Sequence, residues 1–142
     1  MLKQAEDFYE ESKDIHYILK NISEDRLNTR TQFKSWSFTD IIRHLHVWNI
    51  AAYKSLEGEN EWEKFNNELQ LFFKNGKKLS DFEKNFTENI NGKELIDIWN
   101  YRAMDLTQQV RKKFIPNNDA FLLKPYKIFK MTNKIEIQNL IF

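Results

Sequence analysis

An all-α fold is what this chain predicts, and three observations predict it. Apolar residues recur at three- and four-residue steps through three long stretches, 2–21, 38–56 and 93–113. Only 3 Gly and 2 Pro occur in 142 residues, too few turn formers for a many-stranded sheet. Aromatics reach 15 %, with 12 Phe and 4 Trp, enough bulk to fill the space between packed helices. A chain of this length builds one domain around one core. Fixed-period repeats and low-complexity segments are absent from it.

The first helix is expected over 2–21, where Leu2, Ala5, Phe8, Tyr9, Ile15, His16, Leu19 and Ile22 follow the helical period. Residues 23–36 are a polar connection. Ser37 is a good N-cap with Asp40 in the first turn, so a second helix starts at Phe38 and runs to about Leu56. Its stripe is Phe38, Ile41, Ile42, Leu45, Trp48, Ala52 and Leu56. Gly58 breaks it. Asn60 with Glu63 resembles a capping box for a third helix, expected to bury Trp62, Phe65, Leu69, Phe72 and Phe73 and to end at Asn75-Gly76.

Ser80 with Glu83 repeats the capping signature before a short helix through Phe86. After the Asn91-Gly92 break, a helix over 93–113 places Leu95, Ile98, Trp99, Arg102, Leu106, Val110 and Phe114 on one face. Arg111-Lys112-Lys113 suit its C-terminal dipole. Pro116-Asn117-Asn118 stops it. The domain reading is a helical bundle over 1–114 and a divergent tail over 115–142, irregular or in short strands.

Composition excludes several functions. The net charge is +1, so no global field draws nucleic acid or an acidic partner. The tail from Arg111 to Phe142 carries seven basic and two acidic residues, too sparse and too remote from any known motif to predict a nucleic-acid partner. The absence of cysteine rules out disulfides, thiolate ligands and a cysteine nucleophile, and fits a reducing compartment. No apolar run approaches the roughly 20 residues that cross a bilayer. Met1-Leu2-Lys3-Gln4-Ala5-Glu6-Asp7 lacks an apolar signal core. No membrane association is expected, and the location is expected to be cytoplasmic.

The candidate chemistry lies on the second helix. Trp36-Ser37-Phe38-Thr39-Asp40 opens it, and His44-Leu45-His46 follows. Two residues apart on a helix, His44 and His46 point about 200° from each other and cannot share one ion without distortion. They flank opposite edges of the apolar stripe, so periodicity does not choose between them. Two readings stand: both are boundary histidines with ordinary hydrogen bonds, or one is a metal ligand. Asp40, one turn before His44, is placed to orient its imidazole. Trp48, Ala51 and Ser55 continue that edge, which favours His44 as the histidine facing the interior or a cavity. His16 reads as a hydrogen-bonded core histidine linking the first and second helices. Arg102, on an apolar face, reads either as paired or snorkelling, or as a binder of an anionic substrate.

Thr31-Gln32-Phe33-Lys34-Ser35-Trp36-Ser37, then Asp40 and His44-Leu45-His46, resemble the second-helix region of the DinB-like superfamily, which includes mycothiol-dependent maleylpyruvate isomerase. Ala5-Glu6-Asp7-Phe8, Glu11-Ser12 and Gly92-Lys93-Glu94-Leu95 with Trp99 and Arg102 resemble an uncharacterised metal-binding subfamily of it. The resemblance covers about residues 1–113. It implies a four-helix up-down bundle, a divalent metal such as zinc or nickel, and His44 as one ligand. It also implies a small-molecule or thiol substrate, activated by a metal that acts as a Lewis acid. The remaining family ligands are a glutamate and a histidine one turn apart on a late helix. Here no histidine follows His46, and the late glutamate is Glu136, with Asn139 and Leu140 after it. The bundle is therefore expected to be incomplete at its C-terminus, with a degenerate metal site.

Two functions follow. One is a metal-dependent thiol transferase or isomerase with an incomplete ligand set. The other is a non-catalytic helical domain that covers an exposed apolar groove by pairing with a second copy or another protein.

Overall fold

The structure, a computed structural model, describes residues 2–113. They form six helices: α1 (Leu2–Leu19), α2 (Glu24–Leu27), α3 (Phe38–Glu57), α4 (Glu59–Lys74), α5 (Leu79–Asn85) and α6 (Gly92–Lys113). No strand occurs among the described residues. The expected tail over 115–142, Phe114 on the last stripe, and Glu136 lie outside them.

The starts of the helices show which capping signals operate. At α3 the Ser37 hydroxyl accepts from the Asp40 N–H at 3.1 Å, and the Asp40 carboxylate accepts from the Ser37 N–H at 3.0 Å. The Asn60–Glu63 box does not form. Gly58, at φ 139°, turns the chain straight from α3 into α4, so Asn60 already lies inside the first turn. The Ser80–Glu83 box does not form either. Helix α5 begins at Leu79, and Asp81 caps it by accepting from the Lys78 N–H at 2.8 Å.

Helix α6 has a double cap. The Asn91 side chain accepts from the Glu94 N–H at 2.9 Å. Glu24 accepts from the Gly92 and Lys93 N–H groups at 2.7 and 3.0 Å. The stretch 23–36 is thus not only a connection: its one-turn helix α2 delivers a carboxylate to the positive end of α6. Gly92 is required by this approach, since a Cβ there would sit 2.6 Å from the Thr39 hydroxyl and 2.9 Å from Glu24.

Helices α3 and α6 are the central pair. Their N-terminal halves meet through Ile41, Ile42, Leu45, Leu95, Ile96 and Trp99, and their C-terminal halves through Ala52, Leu56, Ala103, Leu106 and Val110. They therefore run parallel. Helix α1 packs antiparallel on α6, with Ala5 and Phe8 at one end of the core and Leu19 at the other. On the far side of α3, Val47 and Ala51 pack against Phe65 and Leu69 of α4 and Phe82 of α5. Each fully buried Leu, Ile or Val here contributes roughly 1.5–3 kcal/mol.

Two expected core residues face outward. Phe73 is 43 % exposed: α4 turns a narrow face to α3 and α5, and Phe72 takes the inward position of that adjacent pair. Phe38 is 37 % exposed, at the first residue of α3, where it rims a shallow depression with Ile22, Arg26 and Thr29. Among the described residues no helix is long and apolar enough to cross a membrane.

Candidate functional site

The segment before α3 folds back on itself and aims one aromatic ring at His44. The Thr31 N–H and hydroxyl both donate to the Trp36 carbonyl, at 2.8 and 2.6 Å, and the Trp36 N–H donates to the Phe33 carbonyl at 2.8 Å. Closing this loop takes Lys34 and Ser35 through φ 47° and 57°, a region that non-glycine residues seldom occupy. Arg30 holds the turn by donating to the Ser35 carbonyl at 2.8 Å. Trp36 then lies 5.4 Å from the His44 ring, centroid to centroid, at 60°. Trp48, one turn further along α3, lies 6.1 Å away on an edge-to-face path.

The third neighbour comes from α5. His44 Nδ1 is 2.5 Å from Glu83 Oε1, and both side chains are buried. Glu83 reaches that position because α5 packs Leu79, Phe82 and Phe86 against α3 and α4, and Glu83 shares their side of the helix. Phe82 anchors it, in ring contact with Phe65, Phe72 and Phe86. A parallel tie runs from Arg43, whose Nε donates to the buried Thr87 hydroxyl at 2.8 Å.

Against an ionised carboxylate, which only accepts, Nδ1 of His44 is the donor and Nε2 is left as the ring's other nitrogen. An imidazole oriented in this way by a carboxylate serves as a general base or as a single metal ligand. Asp40, expected to orient His44, does not do so. It caps Ser37 and accepts from Arg43 at 2.7 Å. Burial pushes the Asp40 carboxyl up, but the Ser37 hydrogen bonds and the Arg43 guanidinium outweigh that and hold it below its ordinary value.

His46 is also buried, on the opposite side of α3. Burial first, and then the nearby Arg102 charge, lower its pKa to about 4, so it is neutral at pH 7. The two histidines therefore belong to separate environments. Around His44 the residues supply one imidazole and one carboxylate. Among the described residues no group of three His, Cys, Asp or Glu side chains converges. That falls short of the three protein ligands of a catalytic divalent centre, so the described residues do not fit the metal that the resemblance implies.

Two other sequence candidates change partners. His16 links α1 to α6, not to α3: its Nε2 is 2.9 Å from Asp97 Oδ1, because α6 is the helix against which α1 packs. Arg102 is half-exposed, 3.8 Å from Asp105 and stacked 5.5 Å over the Tyr53 ring. Glu83 is the residue that sequence reasoning missed. Its signal was present: Leu79, Phe82 and Phe86 put it inside an apolar stripe, where an unpaired carboxylate is costly. Compared with family models, with curated proteins and with solved structures, the chain matches none.

Proposed function

We propose that the chain is a DinB-like helical bundle with a degenerate metal site, related to metal-dependent thiol transferases and isomerases but without a working Lewis acid. The observation that carries this reading is the buried His44–Glu83 pair, which engages the expected ligand histidine with no third donor beside it among the described residues. The succession of helices supports it too. A long helix is followed by a Ser-capped helix that Trp36 precedes and that bears His44-Leu45, and later by a long helix opening at Gly92. The test is metal content of the purified full chain after dialysis, beside a His44→Ala variant. Well below one equivalent of zinc or nickel is expected in both. Stoichiometric metal that disappears in His44→Ala overturns the reading.

Self-association is a second reading with its own observation. Tyr17 and Ile18 of α1 and Tyr101 of α6 are 66, 63 and 63 % exposed on two helices packed side by side. A second copy of the chain is the occupant this reading names. Sedimentation over a range of concentrations tests it, and a monomer throughout rejects it.

A further inference from the structure

The opposite side of α3 holds an unusual set of groups. Of the six buried side-chain polar atoms left without a hydrogen-bond partner among the described residues, five belong to four residues: His46 Nδ1, both amide atoms of Asn49, Trp99 Nε1 and Arg102 Nε. His46, Asn49 and Trp99 are 4, 0 and 2 % exposed. His46 and Asn49 are one turn apart on α3, with Tyr53 a turn further along; Trp99 and Arg102 are one turn apart on α6. The two helices pack together, and Arg102 lies over Tyr53 while its charge bears on His46. The five atoms therefore share one seam.

Buried polar atoms in folded proteins are almost always satisfied, so five in one seam call for a molecule that completes them. The seam's chemistry selects that molecule. The Trp99 indole, the Asn49 amide and the Arg102 guanidinium donate. The Asn49 carbonyl accepts. Arg102 supplies the permanent positive charge, and its pairing with Asp105 is loose at 3.8 Å. Its side chain is also the half-exposed member of the set.

We propose that the α3–α6 seam between His46, Asn49, Trp99 and Arg102 is a binding site for a small organic anion bearing a carboxylate. Arg102 meets the carboxylate, and Asn49 and Trp99 hydrogen-bond to its polar atoms.

The test uses the full chain and the indole N–H resonance of Trp99, assigned by its loss in Trp99→Phe. The protein is titrated with acetate, succinate and benzoate, against succinamide and against sodium chloride at matched ionic strength. At least one carboxylate is expected to move the Trp99 resonance saturably, while succinamide and chloride do not. Arg102→Gln, a change at a half-exposed position, is expected to weaken binding by about tenfold. A folded Asn49→Leu variant is expected to lose the response. The proposal is overturned if none of the three carboxylates gives a saturable shift, if chloride reproduces the shift, or if it persists undiminished in Arg102→Gln or in folded Asn49→Leu. Those outcomes leave ordered water as the seam's only occupant.

Discussion

Glu83 and His44, thirty-nine residues apart, meet at 2.5 Å in a buried pair that joins a seven-residue helix to the second long helix. Little else ties α5 to α3 in polar terms: the other link is Arg43 to Thr87, just beyond the helix. The pair thus fixes the imidazole and the place of α5 together. Breaking one side leaves a buried group with no partner, which costs about 3–5 kcal/mol. Glu83→Ala and His44→Ala are each expected to lower the urea midpoint sharply. The double variant His44→Leu with Glu83→Leu is expected to recover much of the loss, because it removes both polar groups at once. Strictly additive losses across the double-mutant cycle would contradict this account.

Glu24 and Gly92 give a second prediction. Burial raises the Glu24 carboxyl, but the Gly92 and Lys93 N–H groups and the Asn28 amide outweigh it, and its pKa is lowered from 4.5. A lowered folded value means that the unfolded chain takes up the proton first. The stabilisation is therefore complete above about pH 4.5 and is lost as the pH falls through the folded value. Glu24→Gln is expected to cost about 1 kcal/mol at neutral pH, as loss of a capping carboxylate does. Its stability curve should converge with that of the parent in acid, and curves that remain parallel would dismiss the cap.

Gly92→Ala probes the same corner by volume alone. The added methyl meets the Thr39 hydroxyl and the Glu24 carboxylate inside ordinary contact distance. Either α2 withdraws its cap or α6 shifts on α3, and a loss of about 1–3 kcal/mol follows. Thr39→Ala in the Gly92→Ala background is expected to restore part of it, read as a rise in thermal midpoint. Failure of that rescue would mean the clash is not the cause.

The long helices were legible because each follows its apolar period; Gly58 and Asn75-Gly76 directly follow the ends of α3 and α4, and Asn91-Gly92 marks the start of α6. Caps were less legible. Ser37 with Asp40 formed as expected, whereas Asn60 with Glu63 and Ser80 with Glu83 fit the same pattern and did not form. The difference is tertiary. Burying Phe82 starts α5 at Leu79, and that leaves Glu83 free for His44. The site was half legible for the same reason. His44 stood out by its neighbours on one helix. Its partner is set by how α5 docks on α3, which no local pattern encodes, and Asp40 was claimed by Ser37 and Arg43.

His46 gives the widest pH window. Its folded pKa of about 4 lies below the ordinary 6.5, because burial and the Arg102 charge disfavour the imidazolium. Between those two values the unfolded chain binds a proton that the folded chain does not. Stability is therefore highest above pH 6.5, falls as the pH is lowered towards 4, and changes no further on this account below that. The full effect is about 3 kcal/mol. Urea midpoints measured at pH 7.5 and pH 4.5 should show most of that fall in the parent chain, and His46→Leu should flatten it while leaving the acid limb due to Glu24. A direct reading comes from the His46 ring resonances, which are expected to stay in the neutral form through pH 5. If they titrate near 6.5, the ring is not held neutral by burial and this account of the pH dependence fails.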